Sequence, residues 1–113
     1  MTAPFAITQT HRSGWQRQAV AALSTILDEH GDLPAIAWLV GPVGSTLVGR
    51  TDRPGPAGQV RAVFGSWCRA LGVGEPAETL SPGGVAHLRA TVHAGRVQVV
   101  LVATVVGDDE GQA

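Results

Sequence analysis

His87, Arg89, Thr91 and His93 alternate along one segment, and Arg96 and Gln98 follow closely. Alternate side chains of a strand share a face. If the segment is a strand, these residues form the most polar constellation in the chain. Arginines and histidines on one face suit contact with anionic oxygens, including phosphates. They do not suit a shared metal ion, because residues six apart in a strand lie about 20 Å from each other. The plainer alternative is a solvated end of an apolar sheet face. Single-stranded nucleic acid also calls for rings on which bases stack, and Trp38 is the aromatic residue the strand segments supply.

Other residue patterns with chemical potential are weaker. Gly41-Pro42-Val43-Gly44-Ser45-Thr46 superficially resembles a phosphate loop. It lacks the lysine that contacts the β- and γ-phosphates, and a strand pattern rather than a helix follows it. A turn between two strands fits it better. Cys68 sits on or beside the apolar stripe of a helix, with nothing placing His87 or His93 near it as a base, so burial is expected. A lone cysteine also forms no intramolecular disulfide. Asp28, Glu29 and Asp32 end a helix as a solvated cluster or a docking patch for a basic partner. Arg50, Asp52 and Arg53 are expected to make a Pro/Gly-rich connection soluble, with contact to phosphates as the alternative. No spacing of histidines, cysteines or carboxylates defines a metal site, and none of the motifs implies a cofactor.

The elements that must position these residues follow from periodicity. Ser13 and Gln16 have the spacing of a capping box, and Trp15, Ala19, Ala22, Leu23, Ile26 and Leu27 recur at helical intervals. A first helix is predicted over 14–30, closed by Gly31. Residues 35–40 and 45–51 form a hairpin about the Gly41–Gly44 turn. A second helix carries Val60, Val63, Phe64, Trp67 and Leu71 on one stripe and stops at Gly72. Residues 73–84 read as a loop. Strands at 85–93 and 96–106 follow, joined at Ala94-Gly95.

The predicted fold is therefore α+β in the order αββαββ: a four-stranded, mainly antiparallel sheet with two helices on one face. Residues 1–12 are expected to be a mobile arm, 13–106 a single domain, and 107–113 an acidic frayed tail. The helices align at a constant offset, Ala19, Ala22, Leu23 and Ile26 against Val60, Val63, Phe64 and Trp67. This suggests an internal repeat of 13–51 and 57–106, or convergence on one pattern.

Both faces of the first hairpin are apolar, and the last strand reads as buried on both sides. In the second hairpin, Ala86, Leu88, Ala90, Val92, Val97, Val99, Leu101 and Ala103 form the obvious helix-facing set. In the first, Ile36, Trp38, Val40 and Leu47 share one face, and Ala35, Ala37, Leu39, Thr46 and Val48 the other. A sheet covered on one side normally shows polar residues on the other, so a second apolar face implies a cover. The expected cover is a second copy of the chain. The interface would be Ile36, Trp38, Val40, Leu47, Val100 and Val102, with Trp38 as anchor and His87, Arg89, His93 and Arg96 as a polar rim or anion-binding group. A different protein or a ligand is the alternative cover.

Composition bounds the function classes. The chain has 113 residues, is 44% hydrophobic and 15% charged, and has a net charge of −1, which fits one folded domain without an overall pull toward nucleic acid. All eight basic residues are arginine and lysine is absent, which we read as the codon bias of a GC-rich bacterial genome. Lysine Schiff-base chemistry is thereby excluded. No apolar run approaches the ~20 residues of a membrane span, and a cytoplasmic, non-enzymatic binding or adaptor protein acting as a homodimer is expected. The alternative is a nucleic-acid-binding or regulatory module that uses His87, Arg89, His93 and Arg96.

Overall fold

The computed structural model describes residues 8–41, 44–51 and 56–106. Seven elements follow in order: α1 (Gln9–Glu29), β1 (Ala37–Val40), β2 (Thr46–Arg50), α2 (Ala57–Leu71), β3 (Ala77–Ser81), β4 (Val85–Ala94) and β5 (Val97–Val105).

α1 starts earlier than its periodicity suggests. Thr8 and His11 form a reciprocal cap, in which the Thr8 hydroxyl accepts from the His11 N–H at 3.2 Å and His11 Nδ1 accepts from the Thr8 N–H at 3.4 Å. This satisfies two backbone donors that the helix start would otherwise leave bare. Residues 9–12, counted with the amino-terminal arm in the sequence reading, are thus helical. Ser13 is interior, and residues 1–7 lie outside the described residues. α2 closes as its glycine predicts: Gly72 adopts φ +75°, its N–H donates to Arg69 O, and the Val73 N–H donates to Cys68 O. That is a Schellman motif.

The sheet corrects the expected fold. It has five strands rather than four, in the order β1-β2-β5-β4-β3, and it is a mixed sheet, with β2 and β5 parallel, in the chain order αββαβββ rather than the expected mainly antiparallel αββαββ. The extra strand, β3, occupies part of the segment read as a loop. It escaped periodicity because it is an edge strand held by backbone pairing to β4, with four of its five residues exposed. The Arg61 guanidinium of α2 also grips the Glu78 carboxylate of β3 through two contacts, 2.9 and 3.2 Å. The parallel pair joins the two hairpins. Since α2, β3 and β4 intervene between β2 and β5, the connection is long enough for either direction, and no local signal specifies which.

The second hairpin closes at Gly95-Arg96, not Ala94-Gly95. Gly95 takes φ +64° at the first central position of a two-residue turn, and Ala94 pairs with Val97. This moves the register by one residue on each strand, which preserves the faces. Arg89 therefore opposes Val102, Thr91 opposes Val100, His93 opposes Gln98 and His87 opposes Thr104.

One core lies between the helices and the sheet. α1 contributes Ala19 and Ile26. α2 contributes Val60, Val63, Phe64, Trp67 and Cys68. The sheet contributes Leu47 with the expected helix-facing residues of β4 and β5. β5 is the central strand, which explains its nearly unbroken apolar run. Among the described residues, no helix is long and apolar enough to cross a membrane.

Candidate functional site

The six residues expected to form one interface do not share a face. Trp38 packs edge-to-face on Trp67 of α2, with ring centroids 5.5 Å apart, so it points toward the helices. Val40 pairs with Leu47, which is fully buried, and Ile36 and Val40 pack against the same core. These four residues do lie together, but on the covered side. Val100 and Val102 lie on the opposite side. The physical reason is that β1 and β2 carry aliphatic residues on both faces, so hydrophobicity does not orient them, whereas Trp67 does. Its indole N–H donates to Pro34 O at 2.9 Å and fixes the ring where Trp38 meets it.

The open face is then read from the register. In one row across the sheet stand Leu39, Val48, Val100 and Thr91. The next row holds Ala37, Arg50, Val102, Arg89 and Ala77. Thr46, Gln98 and His93 lie on one side of these two rows, and Thr104, His87 and Thr79 on the other. No described element packs over these residues. Leu39 is 51% exposed, whereas Val100 is 5% exposed. Arg50 and Arg89 both oppose Val102, one strand to each side, which sets their Cα atoms about 10 Å apart.

Sequence reasoning placed His87, Arg89 and His93 together on this face, and all three side chains are exposed there. Arg96 stands apart from them in the β4–β5 turn. Leu39 and Val48 were missed as members, and Arg50 was read first as part of a soluble connection. The available signal was Thr46, Val48 and Arg50 at alternate positions, two polar residues in phase with one valine, which marks a solvent-facing side.

The face contains no carboxylate among its described strand residues. The described acids stand elsewhere: Asp28, Glu29 and Asp32 about the end of α1, Glu75 before β3, and Glu78 on the helix side of β3 against Arg61. Among the described strand residues of this face, the formal charges, on Arg50 and Arg89, are positive.

Two other places were candidates for chemistry. A cleft of about 380 Å³ opens between the carboxyl-terminal parts of α1 and α2 and the β4–β5 turn, with Ile26, Leu71, Val92 and Val99 in its wall. Of its polar residues, Glu29 and His30 approach to 4.0 Å, the Thr25 hydroxyl donates to Ala21 O, and His93 also lines it. Cys68 is buried in the core, and burial pushes its thiol above the ordinary value while neighbouring Arg69 opposes the shift. That is the setting of a packing residue, not an activated nucleophile. Among the described residues there is no group of three histidine, cysteine or carboxylate side chains placed to hold a metal ion.

No protein-family model matches this chain, and neither a curated protein nor a solved structure matches it.

Proposed function

We propose that this chain is a small binding module of adaptor type, and that its working surface is the open face of the sheet. The observation that carries the reading is the strip Leu39–Val48–Val100, continued by Val102, on a face that no described element covers. Its activity is association: aliphatic burial at about 25 cal/mol per Å² drives docking against the freedom lost on binding. A polypeptide layer laid on this face would complete a three-layer arrangement about the sheet.

A second copy of the chain is one such layer, and the exposed Leu39 is the residue it would bury first. A homodimer through this face no longer has Trp38, Ile36, Val40 and Leu47 to draw on, which leaves four aliphatic side chains at its centre. Stable dimers commonly bury about 800 Å² on each partner.

Photo-crosslinking tests the reading. A benzophenone side chain is placed at Leu39 or Thr91 on the open face, or at Val20 on the exposed side of α1, and crosslinks are formed in cells that express the chain. Adducts concentrated at Leu39 and Thr91 are expected. Equal adducts from Val20, or none from the open face, would contradict the proposal. Adduct mass separates a second copy from a different polypeptide.

A further inference from the structure

From the charge of the open face we infer the chemistry of its partner: an acidic amphipathic segment of another protein, with aliphatic residues for the Leu39–Val48–Val100 strip and carboxylates for Arg89. The inference rests on the docking reading above and adds the partner's class.

Three occupants compete for this face, and its residues discriminate among them. A second copy would bring the same face, which has no carboxylate among its described strand residues to pair with Arg89. An arginine enclosed in such an interface would lack a charged partner, which selects against that pairing. Single-stranded nucleic acid would supply negative charge, but its bases need rings to stack on. The strand aromatic, Trp38, is committed to Trp67 on the other side of the sheet. The centre of the open face is instead aliphatic, formed by β-branched valines with one exposed leucine.

An acidic amphipathic segment satisfies both halves of the surface. Its apolar stripe covers Leu39 and the partly exposed Val48 and Val102, beside Val100, which is already buried. Its carboxylates meet Arg89, whose planar guanidinium accommodates a carboxylate through two parallel hydrogen bonds. His87 stands two residues before Arg89 and His93 four residues after it on the same face, so further acidic groups have polar donors within reach. Arg96, at the turn, extends the same sign of charge beyond the end of β4.

The test uses the full chain and three probes. One is a synthetic helical peptide with leucines at i, i+3, i+4 and i+7 and flanking glutamates. The second is the same peptide with every glutamate replaced by glutamine, and the third is an oligothymidylate. Affinity is measured at low and physiological salt, and amide shifts locate the bound probe. The glutamate peptide is expected on the open face, with binding weakened about tenfold in the glutamine peptide and about fivefold in Arg89→Gln, and falling with salt. Arg89 is exposed, so Arg89→Gln leaves the core untouched; its thermal unfolding should match the parent. Equal binding of the two peptides on this face would leave the docking surface standing and overturn the acidic partner. Binding of neither peptide would overturn both. Tighter binding of the oligothymidylate would replace the acidic segment with nucleic acid.

Discussion

Trp38 lies over Gly49. The two residues are register partners on β1 and β2, and a Cβ at position 49 would stand 2.9 Å from Trp38 Cζ3 and 2.9 Å from Leu101 Cδ2. An aromatic ring laid over a strand glycine covers backbone that would otherwise lack a side chain above it. This packing seats Trp38 against Trp67 and leaves the opposite side of β1 and β2 outward. Gly49→Ala should therefore destabilise the fold by about 1–3 kcal/mol, because the indole cannot yield as a flexible chain end would. Urea unfolding followed by circular dichroism measures it, and an unchanged midpoint would contradict the packing.

Trp38 separates a core role from an interface role. Trp38→Ala should cost about 3–5 kcal/mol of stability, as truncation of a packed aromatic does. Its indole N–H is buried without an acceptor among the described residues, so Trp38→Phe should cost much less than the alanine change. Both are measured by denaturant unfolding. A fully stable Trp38→Ala protein would return this residue to the surface.

Arg61 ties β3 to α2 from the helix side. The pair is partly exposed and so contributes little to global stability, under about 1 kcal/mol. Its effect should be local. In Arg61→Ala, amide exchange in β3 should quicken while the β4–β5 ladder stays protected. Equal acceleration in both would show that β3 does not open as a separate edge.

Cys68 links stability to alkaline pH. Its folded-state thiol titrates above the ordinary value, 9.0, because burial disfavours the thiolate. The stabilisation is fully present below the unfolded pKa and is lost as pH rises toward the folded one, since the unfolded chain releases its proton first. Stability should decline from about pH 9 upward, and Cys68→Ala should remove that part of the decline. Native Cys68 should also react slowly with a thiol reagent at neutral pH. Rapid stoichiometric labelling of the folded protein would contradict its burial.

The parts legible in the sequence are those where periodicity and burial agree. The α2 stripe of Val60, Val63, Phe64 and Trp67 is buried as its spacing indicates, and the helix-facing set of β4 and β5 is correct because it alternates with His87, Arg89, Thr91 and His93. The turn was misplaced by one residue, which that alternation tolerates. β3 was hidden because backbone pairing, rather than side-chain burial, holds Ala77–Ser81 in place. The side on which Trp38 packs was hidden for a different reason. β1 presents Ala37 and Leu39 on one face and Trp38 and Val40 on the other, and only the tertiary contact with Trp67 distinguishes them. The parallel pairing of β2 with β5 depends on partners far apart in sequence, where local propensity has no influence.

The open face suits a partner unlike itself, and molar mass in solution tests this most directly. Light scattering across a concentration series should give the 11.6 kDa monomer throughout, for the parent chain and for Leu39→Glu alike. A dimer in the parent that dissociates in Leu39→Glu would contradict this, because the face would then pair with its own copy although that copy brings no described carboxylate to Arg89.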